Sequence, residues 1–198
     1  MLTNWYRTMV LAAAAALLAG CAANPISVAK SAVEHAVEDR TSADATTDLA
    51  IKASIAAEVI DKMGSDVIAI SSDVYEGRVM LTGIVETSSQ KAQAGALAGK
   101  IEDVKTVYNE LRVTPATKKE KGTVEGFVDD TVVETKIDAL LLDAGGVNSR
   151  NFRWRSVHGH VYLLGRALSS AELTKAKRVV NGIEGVRSLT SHVEIRPK

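Results

Sequence analysis

Two stretches of the chain share one pattern of apolar and polar positions, in which helical spacing gives way to strand spacing and then returns. Apolar residues at helical spacing predict an opening helix in each stretch. They are Leu49, Ile55 and Val59 in the first stretch and Val133, Ile137, Leu140 and Leu141 in the second. Each of these helices is expected to bury one apolar stripe against the residues that follow it.

Two strands joined by a tight turn follow each predicted helix. The four strands are predicted over residues 67–75 and 78–85 in the first stretch and 151–157 and 160–166 in the second. Gly77 and Gly159 stand second in the two turns, where a tight hairpin requires a positive φ angle. The pattern therefore predicts one hairpin in each stretch.

A second helix and a last strand complete each stretch. Thr87 with Gln90, and Ser169 with Glu172, have the spacing of a capping box, which marks the start of a helix. Alternating apolar residues then predict the last strands. They are Val107, Leu111 and Val113 in the first stretch and Leu189, Val193 and Ile195 in the second. The predicted order is helix, strand, strand, helix, strand.

An internal repeat relates the two stretches without a gap. Its offset is 82 residues, the difference between the numbers of Gly83 and Gly165. The same offset superimposes Asp48 on Asp130, Ile55 on Ile137, Gly77 on Gly159, Val79 on Val161, Leu81 on Leu163, Ile101 on Ile183 and Val104 on Val186. A fixed period of this kind indicates two copies of one structural unit.

The repeat predicts an α+β protein of two tandem αββαβ domains. In each domain, the simplest way to bury the apolar stripes is a three-stranded sheet of mixed direction with both helices on one face. The first domain is predicted over 48–113 and the second over 127–198. Residues 114–126, with Pro115 and the lysine-rich run 118–121, are predicted to form an exposed linker.

The N-terminal residues predict export and lipidation. Arg7 precedes an apolar run over 11–18, which is shorter than the roughly 20 residues that span a bilayer and is typical of a secretory signal. Cys21, the only cysteine, follows Leu18, Ala19 and Gly20. This pattern resembles a bacterial lipobox, so residues 1–20 are predicted to be a lipoprotein-type signal peptide and Cys21 the acylated first residue. The alternative is a buried or free thiol. Residues 21–47 are predicted to be a tether.

Charge separates the two predicted domains, although the whole chain has a formal net charge of +0. Residues 48–113 contain seven basic and ten acidic residues, a net charge of −3, whereas residues 127–198 contain eleven and eight, a net charge of +3. The second domain is therefore the one expected to approach an anionic surface.

The repeated αββαβ unit resembles the BON domain. The resemblance is carried by an apolar strand that reaches a glycine (79–83 and 161–165) and by an isoleucine and a valine ahead of the last strand (101–104 and 183–186). Behind a lipobox, the whole chain resembles the dual BON-domain lipoproteins of Gram-negative outer membranes, the DolP (YraP) type. Ala22 stands where many lipoproteins retained at the inner membrane have aspartate, so an outer-membrane location facing the periplasm is expected.

The resemblance implies a non-enzymatic protein without cofactors that binds anionic phospholipid through its second domain and supports outer-membrane integrity. In this family the lipid contact is attributed to the first helix of the second domain, here about residues 130–142. Its candidate contacts are Val132, Val133 and Lys136. The helix also carries three acidic residues, and acidic residues repel anionic headgroups.

The strand after that helix supplies a second set of candidate lipid contacts. Alternation places Arg150, Phe152 and Trp154 on one face of the strand and Arg153 and Arg155 on the other. Arginine beside tryptophan suits an anionic interface. The alternative is that Phe152 is a core residue and the arginines solvate an open sheet face. Basic strands of this kind also bind nucleic acid, but export makes that partner unexpected.

Three histidines are of the residue type that binds zinc. His158 and His160 flank the turn of the second hairpin, and His192 lies on the last strand. Their counterparts in the first copy are Glu76, Arg78 and Glu110, so the repeated unit does not require ligands there. No metal is predicted.

Two classes of function follow. The first is a lipid-anchored envelope protein that binds anionic phospholipid. The second is a structural or adaptor lipoprotein whose basic second domain meets an envelope protein partner, or the acidic first domain of another copy, without binding lipid.

Overall fold

The computed structural model describes residues 38–63, 70–114 and 129–198, which belong to one compact unit. The predicted signal peptide, Cys21 and all but the first residue of the predicted linker lie outside these ranges. Among the described helices, none combines the length and hydropathy that crossing a membrane demands.

The first domain contains two helices and a mixed sheet. Strand β2 lies at the centre, antiparallel to β1 and parallel to β3 and β4. The last predicted strand is thus split in two, because Leu111 between its halves turns into the core with 1% of its surface exposed. The elements are α1 (Ser42–Met63), β1 (Ile70–Tyr75), β2 (Arg78–Val85), α2 (Ser88–Ala98), β3 (Thr106–Asn109) and β4 (Arg112–Val113).

The second domain repeats this arrangement with an unbroken last strand. Its sheet has the order β5-β6-β7, with the first pair antiparallel and the second parallel. The elements are α3 (Asp130–Asp143), a 3₁₀ helix (Ser149–Asn151), β5 (Phe152–Val157), β6 (His160–Ala167), α4 (Ser170–Asn181) and β7 (Ser188–Ile195). The predicted α+β class and the two αββαβ domains are confirmed.

The strand registers of the two sheets repeat with the predicted offset. Ile70 pairs with Gly83 in the first sheet and Phe152 with Gly165 in the second. The hairpin turns are equally matched: Glu76 and His158 have the same φ of 53°, and the glycines after them have φ angles of 76° and 77°. Two consecutive positive φ angles are typical of a type I′ turn, which suits the twist of a hairpin.

Residues 38–47, the last part of the predicted tether, belong to the folded part of the chain. Helix α1 begins at Ser42, inside the segment predicted to link the anchor to the first domain. Thr41 and Asp44 cap its start, since the Thr41 hydroxyl accepts from the Asp44 N–H at 3.1 Å and the Asp44 carboxylate accepts from the Thr41 N–H at 3.2 Å. The folded part of the chain therefore begins at least ten residues before position 48.

The apolar stripes of the opening helices are partly shifted from the prediction. Ile51 rather than Leu49 joins Ile55 in the first core, and Leu49 is 66% exposed. In the second domain Val133, Ile137 and Leu141 are buried, but Leu140 is 47% exposed. The predictions for Leu49 and Leu140 were wrong, because Leu49 lies about 120° around its helix from Ile55 and Leu140 about 60° from Ile137, off the centre of each buried stripe.

The helix-free faces of the two sheets pack against each other. Each domain has its own core between helices and sheet, and a third apolar cluster joins the domains. It contains Tyr75, Met80, Val157, Tyr162 and Leu164. The layers are therefore helices, sheet, sheet, helices, and neither sheet presents an open face across this cluster.

Candidate functional site

The arginines of β5 face the first domain. Arg153 binds the carboxylate of Glu38 at 2.6 Å. Arg155 lies 3.4 Å from carboxylate oxygens of both Asp73 and Glu134. The expectation that these arginines solvate an open sheet face was wrong, because that face is covered by the other sheet. Both guanidinium groups are engaged with acidic side chains in the folded chain.

Two of the predicted lipid contacts are core residues. Phe152 is 1% exposed and Val133 is 2% exposed, both within the core of the second domain. Trp154 is half-buried and packs against the same core. Phe152 and Val133 cannot reach a bilayer while the domain is folded. The prediction that these two residues contact lipid was therefore wrong. Arg150 remains exposed, in the 3₁₀ helix.

The outer surface of α3 exposes apolar side chains. Val132 is 46% exposed, Leu140 47% and Leu142 68%. Lys136, between them in sequence, lies 3.8 Å from Glu184. Half of the large exposed hydrophobic residues found in the described ranges thus lie on this one helix, which also packs against α4.

Helix α4 adds basic side chains to the same helical layer. Lys175, Lys177 and Arg178 are all exposed, whereas Ala176 and Val180 are buried against the core. Lys175 reaches the carbonyl oxygen of Gly145, in the loop after α3. The helical side of the second domain therefore combines exposed apolar and basic side chains.

Residues related by the repeat contact each other across the domain interface. Asp73 and Arg155 occupy equivalent positions, and so do Glu110 and His192, whose carboxylate oxygen and Nε2 lie 2.7 Å apart. In an interface between two identical subunits, only residues at the two-fold axis contact their own equivalents. The two domains are therefore arranged about a pseudo-two-fold axis, with an acid from the first domain at each of these contacts.

Tyr75 lies at the centre of a buried charged cluster at this interface. Arg40, Arg78 and Arg153 place their guanidinium carbons 5.2 to 5.9 Å from the centre of its ring. Burial, followed by the charge of Glu38, raises the pKa of Tyr75 to about 12. Its hydroxyl is thus neutral at physiological pH. Arg78 also donates to the Gly165 carbonyl oxygen at 2.8 Å, which ties the two domains together.

The histidines make contacts expected of structural residues. His192 stacks on Tyr108 with ring centres 4.0 Å apart, and His160 Nδ1 lies 2.7 Å from the Ser188 hydroxyl. Burial, followed by nearby positive charge, lowers the pKa of His160. In the part of the chain that the structure describes, no three side chains of His, Cys, Asp or Glu form a group that could hold a metal ion.

The family model of the BON domain matches residues 47–115 and 129–197. The chain belongs to the BON-domain family. The predicted resemblance is therefore confirmed, and each match coincides with one αββαβ domain.

Two BON-family relatives are similar to this chain over most of its length. Outer membrane lipoprotein DolP of Haemophilus influenzae is 30% identical over 184 residues, which cover 91% of each protein. Osmotically-inducible protein Y of Escherichia coli is 30% identical over 149 residues, which cover 75% of this chain and 73% of that protein. Among solved structures, the C-terminal domain of CdsD, a structural protein of the Chlamydia trachomatis type III secretion system, has a TM-score of 0.31, 16% identity, and covers 76% of this chain and 67% of its own.

The predicted contact between a basic and an acidic BON domain occurs within one chain. Asp73 of the first domain binds Arg155 of the second, whereas a contact with an envelope protein partner or with another copy stays a prediction. Sequence reasoning missed the contact within the chain because the side chains that join the BON domains come from positions 82 residues apart. Their opposite charges at one repeat position were the available signal.

Proposed function

We propose that this protein is a non-enzymatic, lipid-anchored component of the bacterial outer membrane that binds anionic phospholipid through the helical side of its second BON domain. Acylation of Cys21 supplies the stable anchor. The domains face the periplasm, and the protein supports the integrity of the envelope. The lipobox-like sequence before Cys21 and the similarity to a protein named as an outer membrane lipoprotein support this proposal.

The exposed apolar residues of α3 are the observation that carries the lipid-binding proposal. Fully burying a leucine side chain is worth about 1.5–3 kcal/mol, and Leu142 has two thirds of its surface available. Basic residues near an anionic surface add about 1 kcal/mol each. Leu140, Leu142 and Val132 would enter the headgroup region, with Lys136 and the basic residues of α4 beside phosphate groups.

A single substitution tests this contact. The Leu142→Asp variant is expected to bind phosphatidylglycerol vesicles at least about ten-fold more weakly than the wild type, because an apolar contact is replaced by a charge that anionic lipid repels. Co-sedimentation of residues 22–198, without the acyl anchor, measures the effect.

Leu49→Asp is the matched control. Leu49 is a leucine with nearly the same exposure, 66% against 68%, but it lies on the first helix of the first domain. The Leu49→Asp variant is expected to bind phosphatidylglycerol vesicles as the wild type does. Equal binding by the wild type and both variants would contradict the contact on α3, and equal, negligible binding of the wild type to neutral and anionic vesicles would contradict lipid binding altogether.

A further inference from the structure

Three residues ahead of α1, namely Glu38, Asp39 and Arg40, cross from the first domain to the second. We call them the clasp. Asp39 is held by four groups of the second domain and the C-terminus. They are the Asn148 amide at 2.9 Å, the Asn151 amide at 2.8 Å, the Lys198 ammonium at 2.6 Å and, on the Asp39 carbonyl oxygen, Arg166 at 3.2 Å.

The neighbouring residues of the clasp strengthen this contact. Glu38 binds Arg153 of the second domain and also Arg40, and Arg40 in turn binds Asp48 of the first domain. The side chains of Glu38 and Asp39 are 2% and 9% exposed. Burial on its own would raise the pKa of Asp39, but hydrogen bonds from Lys198, Asn151 and Asn148 outweigh it and lower the pKa. Two acidic side chains therefore occupy a set of donors on the second domain.

Two of the donor residues, Arg153 and Asn151, are also held by contacts within the second domain. Arg153 also donates to the carbonyl oxygens of Arg150 and Phe152, each at 2.9 Å. Asn151 is fully buried, and its own N–H donates to the Asn148 carbonyl oxygen at 3.0 Å. The 3₁₀ helix that holds Asn151 packs against α3. These contacts lie within the second domain and position the Arg153 guanidinium and the backbone of Asn151.

The repeat shows that the shared fold does not require these donors. The residues 82 positions before Asn148, Asn151 and Arg153 are Asp66, Ala69 and Ser71. None of the three can donate from an amide or guanidinium group. The donor set is therefore specific to the second domain, which is also the domain with net positive charge.

Amide, ammonium and guanidinium donors that converge on a carboxylate also suit the oxygen atoms of a phosphate group. We propose that Asn148, Asn151, Arg153 and Lys198 form an anion site for a phosphate group, from a lipid headgroup or a free phosphate monoester, and that the clasp closes this site in cis. Arg150 is exposed in the same 3₁₀ helix as Asn151 and adds positive charge to this part of the domain. The role of this anion site at the membrane rests on the lipid binding proposed above.

Competition explains how such a site would respond to a membrane. A segment of the same chain competes at an effective concentration in the millimolar range, so dilute phosphate does not open the clasp. An anionic bilayer concentrates phosphate groups beside the second domain once Cys21 is anchored. The apparent affinity of the site for phosphate equals its intrinsic affinity multiplied by the fraction of molecules whose clasp is open. Opening the clasp in every molecule therefore restores the intrinsic affinity.

The double substitution Glu38→Gln with Asp39→Asn tests the proposal. It is expected to raise the affinity of residues 22–198 for phosphatidylglycerol vesicles at least about five-fold, because the competing charges are removed. Arg153→Gln is expected to abolish this gain in the double variant, because it removes the guanidinium donor of the anion site.

A matched control separates the clasp from net charge. Glu102 and Asp103 form the same acidic dipeptide on the first domain, and both are exposed. Glu102→Gln with Asp103→Asn removes the same two charges and is expected to leave vesicle affinity within about two-fold of the wild type. An equal gain in both double variants would overturn the clasp. If the double variant loses its folded circular dichroism spectrum, the single variant Asp39→Asn, which keeps the Glu38–Arg153 contact, replaces it in the same binding test.

A membrane-free measurement distinguishes the two sources of phosphate. Glycerol 3-phosphate is titrated into the double variant while the side-chain amide resonances of Asn148 and Asn151 are followed. Saturable shifts, reduced by Arg153→Gln, support the anion site even if no variant binds vesicles, in which case only the proposed lipid binding fails. Wild-type binding to vesicles with no gain in either clasp variant overturns the clasp and leaves the proposed lipid binding intact.

Discussion

Replacing Gly165 with alanine is expected to destabilise the second BON domain strongly. Gly165 has a φ of 138°, a conformation that costs a residue with a side chain about 1–3 kcal/mol. A β-carbon at this position would overlap the carbonyl oxygen of Asn151, which is a backbone atom. Overpacking of this kind adds about 1–3 kcal/mol. We therefore expect the free energy of unfolding to fall by about 3 kcal/mol or more.

Urea unfolding followed by fluorescence measures this change, since Trp154 is the one tryptophan after Cys21 and packs against the core of the second domain. Gly145→Ala is the control. A β-carbon at Gly145 would meet no atom within 4 Å, so its effect is expected to stay within about 0.5 kcal/mol. A loss below about 1 kcal/mol for Gly165→Ala would show that the backbone near Asn151 can shift, contrary to this prediction.

The fold was predictable because the sequence states it twice. One helix or hairpin pattern is ambiguous by itself, but a gapless offset carried Gly77 onto Gly159 and Gly83 onto Gly165. The capping boxes were equally informative: Thr87 and Gln90 exchange both expected hydrogen bonds. Glycines and caps determine local backbone geometry, so their effect can be predicted from neighbouring residues alone.

The arrangement of the domains was not predictable in the same way. A strand with polar residues on one face is typical of a solvated sheet, and Arg153 and Arg155 fit that pattern. Their acidic partners, Glu38 and Asp73, lie more than 80 residues away, and helical or strand periodicity does not predict a pair at that separation. These arginines, predicted to contact lipid, therefore lie in the domain interface, where they pair with acidic residues distant in sequence.

The candidate site was predictable to the level of the helix but not of the side chain. The family resemblance pointed to residues 130–142, whereas helical periodicity counted Leu140 among the core residues. The structure exposes Leu140 and buries Val133. The difference arises because α3 offers more apolar positions than one core-facing stripe can bury. Such a surplus of exposed apolar side chains is what an interaction surface requires.

The largest effect on the first domain is expected from Asp48→Ala. Asp48 is 3% exposed, and its carboxylate accepts from the backbone N–H groups of Glu76 and Gly77 at 2.6 and 2.7 Å, besides binding Arg40. Removing it leaves two turn N–H groups and part of a buried guanidinium without a partner. Breaking a buried pair on one side costs about 3–5 kcal/mol, so we expect a loss near 3 kcal/mol in urea unfolding.

The repeat supplies a comparison for this prediction. Asp130 is the counterpart of Asp48 and accepts from the N–H groups of His158 and Gly159 at 2.7 and 2.9 Å. Asp130 is less buried and its third partner is a hydroxyl, that of Ser156. Asp130→Ala is therefore expected to cost about 1–2 kcal/mol. Equal losses for the two variants would mean that the turn N–H groups, and not the buried Arg40, account for the role of this aspartate.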